Sequence, residues 1–272
     1  MKIDVIVSTW NSAKRLDECL QSIFENIPVN TLYVVDKFSK DDTVKIAEKY
    51  GAKIVQSDCS LAESRKLGFN LVETELFVNV DSDVVLCQDW FRKMLPYMND
   101  PKVGCVWGTA VHQEQLHNAY QMSMLRFRGA EHYRIPHLPD MLARKSLLKD
   151  IVIPKQLHGG SIAGEDWLIM QWIEDHGYIC KSVPVFVKHY TYPSLLHNKT
   201  FWGGSTCRRM HRKGLIMVLR QVILSYPQAL FCAVLSRNAR VIPYWLTFRM
   251  EELYGYLHWD KYGHLPRGGE GK

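Results

Sequence analysis

Leu76-Phe77-Val78-Asn79-Val80-Asp81-Ser82-Asp83 joins an apolar run of strand length to two carboxylates with one residue between them. Side chains two apart in an extended chain point the same way, so Asp81 and Asp83 converge just past the end of the strand. Two close carboxylates repel each other, and a divalent cation between them relieves that repulsion. Mg²⁺ and Mn²⁺ prefer oxygen ligands and commonly bridge to phosphates. The stretch predicts a metal and diphosphate site, and the alternative is a solvated turn after a buried strand.

The first hundred residues alternate strand-like and helix-like segments. Runs rich in β-branched residues predict strands, and apolar residues at helical spacing predict helices. The strands are expected at residues 2–9, 31–35, 52–56 and 76–80, and the helices at residues 15–26, 39–50, 61–72 and 89–99. This order predicts an α/β fold with a parallel, doubly wound sheet over these residues, whose ligands bind beyond the C-terminal strand ends. Thr9, Asp36 and the Asp81–Asp83 pair all follow such strands, so we expect them at one edge.

Two sequences of the form Ser-x-x-acid predict where helices begin. Ser39 with Asp42, and Ser60 with Glu63, have the spacing of a capping box, in which each side chain bonds the other residue's backbone N–H. We therefore expect helices to start directly after Ser39 and Ser60.

The second half of the chain has a less regular pattern. Strands are expected at residues 104–111, 141–143, 179–182 and 185–187, with a helical turn at 144–148. Residues 112–140 show no clean periodicity and are expected to form a variable segment that lines a cleft. The glycine-rich stretch 158–164 is expected to be a mobile loop that closes over a ligand. Glu165-Asp166-Trp167 follows it and opens a helix that ends at about His176, with Gly177 as its cap.

Five short motifs occur in a fixed order along residues 1–190. They are Val7-Ser8-Thr9-Trp10-Asn11, Val34-Val35-Asp36-x-x-Ser39-x-Asp41-x-Thr43, Ser64-Arg65-x-x-Gly68, Asn79-Val80-Asp81-Ser82-Asp83 and Glu165-Asp166. This set resembles the family-2 glycosyltransferases. The resemblance implies the GT-A fold, in a doubly wound mixed sheet, and an inverting transfer of sugar from a nucleotide-diphosphate sugar.

The resemblance also implies roles for particular residues. Asp166 matches the catalytic base, with Glu165 beside it, and His189 is our candidate to complete the metal shell. The metal would be Mg²⁺ or Mn²⁺ held by Asp81, Asp83 and His189. The residues expected to bind the nucleotide sugar are Thr9, Trp10, Asn11, Asp36, Arg65, Asp81, Ser82 and Asp83. Asp36 matches the carboxylate that accepts a hydrogen bond from the base, and Arg65 matches the arginine near the phosphates.

The sequence departs from the family pattern in ways that limit the assignment. Lys37 and Lys66 stand where the family often has an acid and an asparagine, which leaves the nucleotide open between UDP and GDP. The Gln-x-x-Arg-Trp motif of processive synthases is absent from the sequence, which favours transfer of single sugars. A nucleotidyltransferase of related fold is an alternative, although Ser8–Ser12 has no glycine-rich phosphate loop. A non-catalytic module that binds nucleotide sugars or glycans is another.

The charge is concentrated at the C-terminal end. Residues 206–272 carry a net charge of +7, while the whole chain carries +6. Apolar segments at 215–224 and 229–235 are interrupted by Pro227 and are each too short to span a bilayer. Basic and aromatic residues beside apolar runs are typical of an interfacial helix. We expect a catalytic domain at 1–200 and a basic helical extension at 201–272, which either rests on a membrane or packs on the domain.

Location and partners follow from the same composition. Seven cysteines without a Cys-x-x-Cys pair suit a reducing compartment, and the N-terminus shows no signal-peptide pattern. We therefore expect a cytoplasmic protein, which would contact the cytoplasmic membrane face if the extension rests on a membrane. A lipid-linked acceptor fits that location. No recognisable nucleic-acid motif accompanies the positive charge, so nucleic acid is not an expected partner.

Overall fold

A computed structural model describes residues 1–112, 115–128, 138–153, 164–190, 203–205, 207–208 and 214–262. The chain forms two compact units. The first unit comprises Met1–Val111, Ala130–His158 and Glu165–Tyr190, and the second comprises His112–Gly129, Gly159–Gly164 and Thr191–Lys272.

The first unit is built on a mixed sheet. Its strands are β1 (Ile3–Thr9), β2 (Val29–Asp36), β3 (Lys53–Gln56), β4 (Leu76–Asp81), β5 (Val84–Val85), β6 (Val103–His112), β7 (Asp140–Arg144) and β8 (Ile179–His189). Their order in the sheet is β3-β2-β1-β4-β7-β6-β8-β5. Strands β1 to β4 pair in parallel, whereas β7 pairs antiparallel with both β4 and β6. The predicted α/β doubly wound mixed sheet is confirmed.

Helices connect the strands of the first unit. In chain order the helices up to β8 are α1 (Ala13–Asn26), α2 (Thr43–Lys49), α3 (Leu61–Leu71), α4 (Trp90–Met94), α5 (Gln115–Arg128), α6 (Lys145–Leu148) and α7 (Glu165–Asp175). Of these, α5 belongs to the second unit, and a 3₁₀ turn at Leu95–Asn99 continues α4.

Both faces of the sheet are covered by apolar side chains. Along β1, Ile3, Val5 and Val7 point into one buried cluster, and Ile6 points into the other. This is the alternation that an extended chain imposes. A sheet buried on both faces leaves its strand ends as the place where polar residues collect.

One predicted capping box is confirmed, and the other is wrong. Ser60 accepts a hydrogen bond from the N–H of Glu63, and Glu63 accepts one from the N–H of Ser60. Helix α2 begins instead at Thr43, and its N-cap Asp42 makes no side-chain capping bond. The reason lies with Ser39, whose hydroxyl donates to Asp36 and accepts from the N–H of Asn11.

The segment 112–140 contains order that its sequence pattern does not reveal. Residues 115–128 form α5, a helix that the sequence pattern does not predict; residues 113–114 and 129–137 lie outside the described residues. Tyr120 and Met124 are buried within the second unit, one helical turn apart. The two short strands expected at 179–182 and 185–187 form the single strand β8, with Pro184 exposed.

The second unit is helical. It contains α5, α8 (Leu215–Ser236), α9 (Val241–Leu257) and α10 (Trp259–Tyr262). The expectation of two apolar segments too short to span is wrong, because they form one helix of 22 residues that continues through Pro227. By length and composition alone this helix could cross a bilayer. The loop expected at 158–164 lies, apart from Gly164, outside the described residues.

Candidate active site

The motif Ser64-Arg65-x-x-Gly68 fixes α3 against the end of β1. A Cβ on Gly68 would lie 2.4 Å from Cγ2 of Ile6, so only glycine permits this close approach. One turn earlier, the hydroxyl of Ser64 donates to that of Ser8 at 2.7 Å. These two contacts place Arg65 at the C-terminal edge of the sheet, where its side chain is only 2% exposed.

The guanidinium of Arg65 joins two acidic motifs that are far apart in the sequence. Its Nη2 donates to Oδ1 of Asp81 at 2.8 Å, and its Nη1 donates to Oδ1 of Asp166. The same Nη1 lies 3.6 Å from Oε1 of Glu165. One planar group with forked donors can satisfy carboxylates on two sides. The structure therefore brings Asp81 and Asp166 together across a single side chain.

A second cluster shares Asp81 with the first. One ligand atom from each of Asp81, Asp83 and His189 lies within 4.8 Å of the other two. The pairing of β5 with β8 sets His189 opposite Val84, directly after Asp83, and Nε2 of His189 is 3.2 Å from Oδ1 of Asp83. Two carboxylate oxygens and one imidazole nitrogen suit Mn²⁺, and the oxygens alone suit Mg²⁺. The donor set therefore fits the metal that the sequence predicts.

Negative charge dominates this part of the unit. Three carboxylates, those of Asp81, Glu165 and Asp166, lie around the guanidinium of Arg65, and a fourth, that of Asp83, lies beside Asp81. Burial raises the pKa of Asp166 to about 6; Arg65 opposes the rise, and the charges of Glu165 and Asp81 add to it. A site with this excess of negative charge attracts a cation and would repel an unaccompanied diphosphate.

Asp36 belongs to a separate network. Its carboxylate is buried and accepts from the hydroxyl of Thr9 (2.9 Å), the N–H of Ser39 (2.9 Å), the hydroxyl of Ser39 and the amide of Gln56 (3.2 Å). A carboxylate has about four lone-pair sites. In the structure Asp36 therefore holds the turn after β1 to the turn after β2, and its recognition of a nucleotide base remains a prediction.

The remaining predicted binding residues lie on the turns after β1 and β4. The Trp10 ring is partly exposed, with Nζ of Lys37 5.7 Å from its centre. Asn11 has φ +47°, which asparagine tolerates better than most residues, and accepts from the N–H of Lys40 at 2.8 Å. The hydroxyls of Ser12 and Ser82 are 2.9 Å apart, so the two turns are in direct contact.

Asp140 is a buried acid that the sequence reading does not single out. Its Oδ2 accepts from Nε1 of Trp90 (2.9 Å) and from the N–H of Gly108 (3.0 Å). Its Oδ1 has no hydrogen-bond partner in the described part of the chain. Burial raises the pKa of Asp140 to about 8, and the charge of Asp81 contributes to that rise. The available signal was an acid between Pro139 and an apolar strand, where an exposed turn acid is the ordinary interpretation.

Comparisons with known sequences match part of the chain. The model of glycosyl transferase family 2 matches residues 4–154. An uncharacterized glycosyltransferase from Rickettsia felis is 30% identical over 125 residues, which cover 46% of this chain and 40% of that protein. Protein RfbJ of Shigella flexneri is 30% identical over 87 residues, which cover 32% of this chain and 62% of RfbJ. The chain thus spans less than two thirds of the length of these curated relatives.

Solved structures show the same fold. A mannosyltransferase from Pyrobaculum calidifontis, in complex with GDP-Man and Mn²⁺, superposes with a TM-score of 0.63 at 19% identity, over 99% of this chain and 78% of that one. Glucosyl-3-phosphoglycerate synthase from Mycobacterium tuberculosis, in complex with Mn²⁺ and UDP, gives a TM-score of 0.52 at 19% identity, over 71% of this chain and 73% of that one. The architecture is therefore the GT-A fold.

Proposed function

The chain belongs to glycosyltransferase family 2, and we propose that it transfers a single sugar from a nucleotide-diphosphate sugar to an acceptor hydroxyl, with inversion at the anomeric carbon. The observation that carries the proposal is the guanidinium of Arg65, which bonds both Asp81 and Asp166. One buried group thus fixes a carboxylate suited to the donor's metal and a carboxylate suited to act as base.

Asp81, Asp83 and His189 would hold the divalent cation. When bound, the ion neutralises the charge that grows on the nucleotide diphosphate as it leaves the sugar. The cluster supplies three ligand atoms close to one another, and the surrounding acids have an unbalanced negative charge. Solved proteins of the same fold contain Mn²⁺ together with GDP-Man or UDP, which supports a nucleotide-sugar donor here.

Asp166 would take the proton from the acceptor hydroxyl as the new glycosidic bond forms. A hydroxyl is a weak nucleophile until a base removes its proton. The raised pKa of Asp166, about 6, makes it a stronger base than an exposed aspartate, while the carboxylate is still mostly ionised at neutral pH. The hydrogen bond from Arg65 fixes the orientation of this carboxylate, and Glu165 adds negative charge beside it.

We further propose how the rest of the chain serves this reaction. Residues 1–200 would carry donor binding and chemistry, and residues 201–272 would form an extension that locates the enzyme on the cytoplasmic face of a membrane. The acceptor would then be a lipid-linked hydroxyl compound. The basic charge of the extension and the apolar composition of α8 support this assignment.

A donor screen tests the proposed chemistry. Each nucleoside diphosphate and its sugar would be added with Mn²⁺ or Mg²⁺, and the melting temperature and donor hydrolysis would both be measured. We expect one nucleotide sugar to stabilise the protein only with metal, because ligand bound to the folded state raises stability by mass action. The same donor should be hydrolysed slowly to nucleoside diphosphate and free sugar.

Two results would contradict the proposal. Metal-dependent binding without hydrolysis, and without transfer to any hydroxyl acceptor offered, would indicate a binding module. Release of pyrophosphate from a nucleoside triphosphate and a sugar phosphate would indicate a nucleotidyltransferase.

A further inference from the structure

Helix α8 exposes apolar side chains along its length. Ile216 is 84% exposed, Ile223 is 74% exposed and Val234 is 76% exposed. Ile216 and Val234 are 18 residues apart, which is about five turns, and Ile223 falls within roughly 20° of the line that joins them. The three side chains therefore form one stripe, which Leu230 extends on one flank.

The opposite side of α8 is packed within the second unit. Val218, Ser225, Ala229 and Cys232 are buried there. The ring of Phe231 lies 4.8 Å from that of Phe127 on α5, and Ser123 of α5 donates to the carbonyl of Cys232 at 3.4 Å. Because α5 and α9 hold this side, the rotation of α8 about its axis is fixed. The exposed stripe is thus a defined surface.

The charged residues on α8 and just beyond its C-terminal end have one sign. Residues 215–240 contain three arginines and neither aspartate nor glutamate. Arg220 lies on α8, and Arg237 and Arg240 lie just beyond its C-terminal end; all three are exposed. If two copies of the chain packed through this face about a two-fold axis, the same arginines of both copies would meet and repel each other. An anionic lipid surface would instead pair with them while it takes up the stripe.

We propose that α8 lies in the interface of an anionic phospholipid bilayer, with Ile216, Ile223 and Val234 inserted at the acyl boundary and Arg220, Arg237 and Arg240 at the headgroups. Arginine reaches the headgroup level with its stem along apolar surface. The helix lies in the interface rather than across the bilayer, because α5 packs along it and carries the exposed Arg126. A spanning α8 would take that charge into hydrocarbon.

This inference extends the proposed membrane location of the enzyme but does not depend on the proposed chemistry. The experiment therefore measures membrane binding and donor hydrolysis separately. The full chain is floated with vesicles of phosphatidylcholine, alone or mixed with phosphatidylglycerol, and donor hydrolysis is measured in the same samples. The test variant combines Ile216→Asp, Ile223→Asp and Val234→Asp. The matched control combines Phe24→Asp, Val152→Asp and Phe186→Asp, which also replace exposed apolar residues, but in the first unit.

We expect the wild type and the control to float with phosphatidylglycerol vesicles and to be released by alkaline carbonate. The test variant should bind at least about 100-fold more weakly, because three apolar side chains no longer leave water. Each of Arg220→Gln, Arg237→Gln and Arg240→Gln should weaken binding about fivefold, and only to the anionic vesicles. Hydrolysis of donor in solution should be unchanged in all of these variants, with circular dichroism as the check on folding.

Four results would contradict the proposal that α8 binds the bilayer interface. They are absence of flotation for the wild type, equal binding to neutral and anionic vesicles, flotation of the test variant, and resistance of the wild type to carbonate. A wild-type dimer that the test variant converts to a monomer, without vesicles, would instead assign the stripe to a second copy. Flotation with no donor hydrolysis would support membrane binding by α8 and would count against the glycosyltransferase chemistry alone.

Discussion

The acidic cluster around Arg65 and the exposed side of α8 depart from ordinary protein surfaces in opposite ways. At the cluster, charged groups are buried, and Arg65 contacts three carboxylates while only 2% of it is exposed. On α8, apolar groups are exposed, and Ile216 is 84% accessible to solvent. Burial of charge and exposure of large apolar side chains both cost free energy. We propose that ligands recover these costs: a cation with an anionic donor at the cluster, and a lipid surface at α8.

The sharpest test of the cluster is Asp166→Asn, which removes the base and keeps the size of the side chain. We expect transfer to fall by about a thousandfold, since general base catalysis contributes on the order of 10²–10⁴. Donor affinity, measured by calorimetry with Mn²⁺, should change less than threefold. Asp175→Asn, at the exposed end of the same helix α7, is the control and should leave the rate unchanged. If Asp166→Asn transferred sugar at the wild-type rate, Asp166 would not be the catalytic base.

Replacing Arg65 with glutamine tests whether one guanidinium unites the cluster. Turnover should fall by roughly 100-fold, and the free energy of unfolding by about 3 kcal/mol, because buried carboxylates lose their partner. Arg65 lowers the pKa of Asp166, so the acid limb of the rate profile should move upward from about pH 6. The transfer rate as a function of pH measures this shift. Lys66→Gln, the next residue on α3, serves as the control, and an unmoved acid limb would show that Arg65 does not act on the base.

Asp83→Asn tests whether Asp81, Asp83 and His189 hold the metal ion. The variant should bind Mn²⁺ about 100-fold more weakly, and at saturating metal its turnover should fall less than tenfold. Isothermal titration with Mn²⁺ and a nucleoside diphosphate measures the affinity. Asp89→Asn is a fair control, because Asp89 has φ +60° and asparagine accepts that backbone. Equal Mn²⁺ affinity in Asp83→Asn and in the wild type would exclude Asp83 as a ligand.

The smallest effect on turnover is expected for Asp140→Asn, which replaces a buried acid that takes no part in the proposed chemistry. Folded Asp140 keeps its proton up to about pH 8, whereas the unfolded chain releases it near the ordinary value of 3.8. This contribution to stability is complete below the unfolded value and is lost as pH rises through 8. Asparagine has no such proton, so the melting temperature should depend less on pH between 4 and 8. Turnover should change less than twofold, and an unchanged pH dependence of melting would refute the raised pKa.

Part of the acidic cluster follows from the position of its residues in the sequence: Asp81 and Asp83 stand at a strand end, whereas Arg65, Glu165 and Asp166 lie on α3 and α7. Asp81 and Asp83 follow an apolar run, and the parallel sheet brings such ends to one edge. A pattern of this kind acts over a few residues and is readable from the chain alone. His189 is predicted instead from the resemblance to family 2, and the structure sets it beside Asp83 because β8 pairs antiparallel with the short strand after Asp83.

Other features depend on contacts between distant segments. Ser39 matches a capping box but bonds Asp36 and Asn11, and no local pattern shows which use prevails. The shared contact of Arg65 with Asp166 spans 101 positions and appears only in the folded chain. In the second unit, Pro227 suggested a break, yet α8 continues through it because packing on α5 and α9 stabilises the helix. Propensity is a weak guide where tertiary contacts decide.

Anomalous diffraction from crystals grown with Mn²⁺ and a nucleoside diphosphate would show whether the metal and Asp166 belong to one donor site. We predict an Mn²⁺ peak bonded to Asp81, Asp83 and His189, with the diphosphate on that ion and Arg65 still in contact with Asp166. A peak at any other group of side chains, or a diphosphate bound remote from Asp166, would contradict that prediction.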